Sequence, residues 1–186
     1  MDTIKIKKII KTLEDGSKEE KIKTIESLSN TNEPEIILKI IGNLDDADIQ
    51  VRGEAFSSLV LNTNDISKSL IENLKSERKN IRGFSALVLA NRRNSESVSD
   101  IIPLTKDPSS MVRACALGAL GYLKAQKAKR AIHNCFSDSN LEVKKSALQA
   151  AINLGEKLSQ IKLKEFQNQS DPELAKLILK AKKIKN

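Results

Sequence analysis

Residues 46–60 read DADIQVRGEAFSSLV, and this pattern returns along most of the chain. In it a basic residue follows an apolar one, and a small residue and then Leu stand three and seven positions later. The basic positions lie 30 or 31 residues apart and are Lys21, Arg52, Arg82, Arg113 and Lys144. The apolar and small positions share one side of an α-helix. A fixed period of this length predicts an array of helical repeats.

An Asp stands six residues before most of these basic positions: Asp15, Asp46, Asp107 and Asp138. Because Asp accepts hydrogen bonds from the free amides of a first helical turn, we expect these residues to start the helices. The third repeat differs, with Ser76 and Glu77 where Asp is expected. A second apolar segment with helical spacing follows each helix, so each repeat is predicted to be a helix pair joined by a short turn.

Five such repeats and a lone helix at each end account for the 186 residues. We predict one domain, 1–186, whose N-terminal cap helix lies in 1–14 and whose C-terminal cap helix lies in 171–186. The repeats are predicted over 15–44, 45–75, 76–106, 107–137 and 138–170. Cap helices are expected because a stacked array exposes apolar surface at both ends. For the Lys-rich C-terminal helix, anchoring to a membrane or partner is the alternative role.

The pattern D-x-x-x-x-[VI]-R-x-x-[AS]-x-x-x-L resembles HEAT repeats, in particular the short HEAT-like repeats of bilin lyases. It is matched fully or nearly at 46–59, 107–120 and 138–151, and in degraded form elsewhere, over about residues 15–170. The resemblance implies an all-α fold, a right-handed α-solenoid of helix pairs. It also implies polar contacts between the Asp and the Arg of neighbouring repeats. Most members of the family are scaffolds, and a few are enzymes.

On this interpretation the repeated polar residues form a stacking ladder that serves the fold. Its members are Asp46, Arg52, Arg82, Asp107, Arg113, Asp138 and Lys144. A row of surface cations for a ligand is the alternative.

Composition narrows the function classes. Lys and Arg number 32 against 24 for Asp and Glu, a net charge of +8, while aromatic residues make up only 3% and Trp is absent. Base stacking on aromatic rings, as in many single-strand nucleic-acid binders, is therefore disfavoured. Two Cys and one His supply no standard zinc site, so no metal or cofactor is expected and the thiols are predicted to be free and buried. No apolar run approaches the ~20 residues of a membrane span, and the N-terminal sequence lacks the features of a signal peptide, which predicts a cytoplasmic protein.

The positive charge is concentrated in the second half of the chain. Residues 1–93 hold 16 basic and 15 acidic residues, whereas residues 94–186 hold 16 and 9. The candidate partner-binding residues lie in the second helices of the fourth and fifth repeats, the predicted concave face: Lys127, Arg130, Asn134, Lys157, Lys162 and Lys164. A field of one sign attracts an anionic partner, although a solvated lysine surface would give the same pattern.

The sequence therefore predicts a non-catalytic scaffold, a monomer or weak oligomer, that binds an acidic protein through its concave face. Binding of double-stranded DNA through phosphates is the alternative. No catalytic residue is predicted. His133, the single histidine, has no nucleophile or acid motif beside it in the sequence and is expected at the rim of the packed face.

Overall fold

A computed structural model describes residues 2–164, 166 and 171–184, and this part of the chain consists of α-helices and short 3-10 turns without a strand. The predicted all-α class is confirmed. The ends of the predicted ranges 1–14, 138–170 and 171–186 include residues outside the described part, namely 1, 165, 167–170, 185 and 186. The chain forms two compact units, 1–92 and 93–186. A single domain over 1–186 stays a prediction.

The first unit, 1–92, contains six described α-helices. They are α1 (Thr3–Asp15), α2 (Lys18–Ser27), α3 (Pro34–Gly42), α4 (Ile49–Leu61), α5 (Ser67–Asn73) and α6 (Lys79–Asn91). α2 starts with a capping box in which Ser17 and Glu20 exchange side-chain bonds to each other's backbone amides. α3 starts at a proline, which lacks the amide that a first turn leaves unsatisfied. The core is aliphatic, with Ile36, Ile40 and Leu59 almost fully buried.

Within this unit α2 packs on α4, α4 on α6, and α3 on both α1 and α5. The turn after α4 is fixed by Arg92, whose guanidinium donates to the backbone oxygens of Leu59, Asn62 and Asn64. Burial lowers the pKa of Arg92. This side chain therefore closes the end of a neighbouring helix and is not available to a partner.

The second unit, 93–186, contains the other six described α-helices. They are α7 (Val98–Ile101), α8 (Ser110–Tyr122), α9 (Lys129–Asn134), α10 (Leu141–Asn153), α11 (Gln160–Lys164) and α12 (Pro172–Lys182). Three 3-10 turns lie beside the short helices, at 102–106, 126–128 and 135–137. α8 and α10 form the main helix contact, and α9 and α12 both pack on α10.

The repeat period is visible in the backbone. Arg93, Lys124 and Gly155 have φ values of 56°, 49° and 72°, and they stand 31 residues apart. Only at Gly155 does the residue type remove the cost of this left-handed conformation. The basic ladder positions repeat as well: Nη1 of Arg52, Arg82 and Arg113 donates to the backbone oxygens six and five residues earlier.

The expectation that the repeated aspartates start the helices is wrong by two residues. Asp46 lies in the turn before α4, where its Oδ1 accepts the amide of Asp48 at 2.9 Å, and Asp48 is the N-cap. Asp107 and Asp138 make the same bond to Ser109 and Asn140, each at 2.8 Å. Asp15 is the last residue of α1. These aspartates order the turn, and the following polar residue takes the N-cap position.

Candidate partner-binding face

Three of the six predicted partner-binding residues lie together on residues 126–137. This segment buries Ala128, Ile132 and Phe136, which anchor it to the core of the second unit. Lys127, Arg130 and Asn134 are exposed on its other side. Within the described residues these side chains have no ion pair and no hydrogen bond. They are therefore free to contact a partner.

Lys162 is the predicted residue that the structure places in a network. Its ammonium lies 2.6 Å from Nδ1 of His133 and 5.9 Å from the ring centroid of Phe136. Because an ammonium group only donates, Nδ1 accepts and the ring proton of neutral His133 lies on Nε2. Lys162 is half-buried by these contacts and fixes α11 against residues 126–137.

Glu156 completes this network and was not predicted from the sequence. Its Oε2 lies 2.9 Å from Nε2 of His133, although the two groups are out of line for a good hydrogen bond. The His133 ring stacks on Phe136 at 4.9 Å, and Phe136 meets Phe166 edge to face at 5.2 Å. Both ring nitrogens of His133 thus face charged groups, and its expected position at the rim of the packed face agrees with its half-buried state.

The three carboxylates in residues 123–164 each lie beside a group other than the exposed cations of this stretch. Asp138 receives Nε and Nη2 of Arg113, at 2.8 and 2.9 Å, and the bond to Arg113 lowers the pKa of Asp138. Glu142 lies 2.7 Å from the ammonium of Lys145, and Glu156 faces His133. The exposed cations Lys127, Arg130 and Lys164 therefore have no carboxylate left on this stretch to neutralise them. We call these three cations, with Asn134, Lys157 and Lys162, the basic face.

The stacking ladder occurs in two forms. In the first unit the ammonium of Lys21 lies 2.7 Å from Oδ2 of Asp46, and in the second unit Arg113 contacts Asp138. Both pairs join residues 25 positions apart, from one repeat to the next. Arg52 has no such carboxylate partner among the described residues.

The last position of the stacking ladder was predicted to be Lys144. The buried cation there is the next residue, Lys145. Its ammonium lies 2.6 Å from Glu173 at the start of α12 and 3.8 Å from Asp171. Glu142 and Glu173 raise the pKa of Lys145. Lys144 is half-buried and has no ion pair within the described residues. Among the described residues, the charged contact between α10 and the C-terminal helix is therefore made by Lys145.

Other kinds of site find little support in the described residues. No three His, Cys, Asp or Glu side chains there lie together as metal ligands, and no helix there is long and apolar enough to cross a membrane. Cys115 and Cys135 are free, and burial raises the pKa of Cys115 to about 11. A thiol with a raised pKa is a weak nucleophile at neutral pH.

Comparison with known proteins shows what part of the repeat array resembles. Residues 67–152 match the family model of HEAT repeats. This segment is thus similar to HEAT repeats. The resemblance drawn from the repeat pattern is thereby confirmed. No functionally curated protein is detectably similar in sequence.

Solved structures extend the likeness in fold beyond residues 67–152. One chain of the complex of CpcE and CpcF of phycocyanin lyase from Nostoc sp. PCC7120 aligns with a TM-score of 0.66 and 19% identity, covering 78% of this chain and 96% of that one. A designed armadillo repeat protein in complex with the peptide (KR)4 aligns with a TM-score of 0.59 and 16% identity, covering 97% and 99%. At these identities the likeness concerns the fold alone.

Proposed function

We propose that this chain is a HEAT-repeat scaffold that binds an acidic segment of another protein through the basic face. The observation that carries the proposal is the unbalanced charge of that face. Among the described residues, Lys127, Arg130 and Lys164 are exposed and have no ion pair, while the three carboxylates of residues 123–164 lie beside Arg113, Lys145 and His133. A cationic surface without internal counterions attracts and orients an anionic partner.

The solved structures with this fold support the class of function. One of them carries a bound peptide and another is part of a two-protein complex. The peptide in the first is (KR)4, which is basic, whereas the charges here favour the opposite sign. These structures therefore support only the proposal that this fold binds a peptide or protein. The proposal that the partner is acidic rests on the basic face itself.

We assign no chemical step to the chain. His133 is the residue best suited to acid–base chemistry, and its ring nitrogens face Lys162 and Glu156. This arrangement orients Lys162 on the basic face, which is a positioning role. The proposal includes a monomer or weak oligomer in a reducing, cytoplasmic setting, where the free thiols of Cys115 and Cys135 persist.

Binding of double-stranded DNA is the second candidate, and the same unpaired cations favour it. Phosphate contacts need only lysines and arginines at suitable spacing, and they require no aromatic rings. The exposed cations on residues 126–137 and α11 fit that requirement as well as they fit an acidic peptide.

A titration with two anionic ligands separates the candidates. A labelled peptide of alternating Glu and Ser and a short DNA duplex are each titrated with the protein over a salt series, with fluorescence anisotropy as the readout. We expect the peptide to bind saturably. At the same salt concentration, we expect the protein to bind DNA no more tightly than it binds the peptide. Tighter DNA binding with a steep negative salt slope would replace the proposal with the second candidate. Binding of neither ligand would refute both.

A further inference from the structure

One position of the stacking ladder in the first unit has lost its carboxylate. Ser76 occupies the turn before α6 as Asp46 occupies the turn before α4: its Oγ accepts the amide of Arg78, two residues later, at 3.3 Å. An aspartate in this turn has a second oxygen to offer. At Asp46 that oxygen receives Lys21, and at Asp138 it receives Arg113. Serine keeps the turn bond but has neither a second oxygen nor a negative charge to hold a cation.

Arg52 is the cation left without a partner by this substitution. Its Nη1 donates to the backbone oxygens of Asp46 and Ala47, at 2.7 and 3.0 Å, as the other ladder arginines do in their own repeats. Arg113 in the same setting uses Nε and Nη2 to hold a carboxylate. Within the described part of the chain, Nε and Nη2 of Arg52 contact no acceptor. The guanidinium is therefore anchored on one side and open on the other.

Arg52 also lines an apolar groove between α4 and α6. The groove has a volume of about 410 Å³ and is lined by Ile49, Arg52, Gly53, Phe56, Ser57, Phe84 and Leu87. Phe56 and Phe84 meet edge to face with centroids 6.5 Å apart, and Ile49 is 71% exposed. A Cβ atom at Gly53 would meet no atom within 4 Å, so the glycine leaves open space on this side of α4. No carboxylate lines the groove.

We propose that this groove is a docking site for a peptide segment of a partner protein that carries an Asp or Glu next to a large apolar residue. The side-chain carboxylate bonds Nε and Nη2 of Arg52, as Asp138 bonds Arg113, and the apolar side chain lies on Phe56 and Phe84. A planar guanidinium that is already fixed at Nη1 loses little freedom when it binds a carboxylate in this way. The proposal concerns the first unit and is independent of the basic face.

The substitution Ser76→Asp tests the proposal most directly, because it restores the missing carboxylate. The turn tolerates Asp at its three equivalent positions, so S76D is expected to fold, to pair with Arg52 and to raise the urea midpoint of unfolding. Thr3→Asp is the matched control, since it adds the same charge at the exposed start of α1. Gly53→Leu is a second variant that keeps Arg52 and fills the groove.

The probe is the blocked tripeptide acetyl-Glu-Leu-Phe-amide, and its Gln counterpart is the neutral control. Binding is followed by NMR at the Nε–H of Arg52 and at the backbone amides of α4 and α6. We expect the Glu peptide to shift these signals and to bind at least about tenfold more tightly than the Gln peptide, because a hydrogen bond to a charged group is lost in the latter. S76D and G53L should both lose the binding, and T3D should keep it.

Four results would overturn the proposal. The first two are that the native protein does not bind the Glu peptide, or that it binds both peptides equally. The third is that S76D binds the Glu peptide as the native protein does. The fourth is that the groove signals shift when the protein alone is diluted, which would mean that a second copy of the chain is the occupant.

Discussion

A single carboxylate at Asp138 joins two neighbouring repeats within the second unit. It accepts two bonds from Arg113 of α8 and one from the amide of Asn140, which caps α10. The two side chains are only 16% and 12% exposed, so the pair is well shielded from water. A partly buried, bidentate pair contributes more to stability than a surface pair does. The repeated Asp and Arg of the sequence thus serve the stacking of helices in this unit.

The change Asp138→Asn should lower the free energy of unfolding of the second unit by about 2 kcal/mol at neutral pH, because charged hydrogen bonds are lost. Arg113 holds the pKa of Asp138 below its usual value. The contribution is therefore complete above the unfolded pKa of about 3.9 and is lost as the pH falls through the lower folded value. Urea unfolding across pH should show the native protein and D138N converging in strong acid.

Asp100→Asn is the control, since Asp100 is exposed on α7 and has no ion pair among the described residues. Its effect should stay within about 0.5 kcal/mol at every pH. A similar loss in both variants would mean that the Arg113 pair contributes nothing specific to stability.

Among the helices, α12 depends on a polar contact as well as on its apolar side. Leu174, Leu177 and Ile178 are buried, as a cap helix requires. Asp171 caps its first turn by accepting the amide of Leu174. At the same end, Lys145 of α10 binds Glu173. Lys145 is thus positioned to set how α12 docks on α10.

The change Lys145→Met should loosen α12 while leaving the rest of the unit folded. The loss of its charged bonds is expected to speed hydrogen exchange of the amides of 174–181 by about tenfold. Lys144→Met is the matched control on the same helix and should leave the exchange rates unchanged. Equal effects of the two changes would show that burial of the apolar side alone holds α12.

Over the whole molecule, the features that follow from helical periodicity could be predicted from the sequence. The apolar stripe around each repeated basic residue predicts the long helices, and the repeat period predicts their spacing along the chain. The position of the repeated aspartates could not be fixed to the residue, because Asp46 and Asp48 are both suitable acceptors and spacing does not tell a turn from an N-cap. The same limit applied to Lys144 and Lys145, which only the placement of α12 distinguishes.

Contacts made by residues in turns could not be predicted from the sequence. Glu156 follows α10 in a turn that no periodic pattern describes, so its approach to His133 had no signal in the sequence. The absence of Asp at position 76 was visible, but the groove beside Arg52 was not. The positions of residues on the long helices were thus predictable. The contacts that these residues make in the basic face and in the groove were predictable only in part.

Binding of an acidic partner to the basic face is tested by reversing the charges of that face. Lys127, Arg130 and Lys164 are changed together to Glu, and Lys162 is kept because it contacts His133. In the control, the exposed residues Lys5, Lys8 and Lys11 of α1 are changed to Glu, which alters the net charge by the same amount. We expect the Glu-Ser peptide to bind the first variant roughly thirtyfold more weakly than it binds the native protein, about 2 kcal/mol, and to bind the control almost as tightly as the native protein. Equal losses in both variants, or no loss in either, would contradict this expectation.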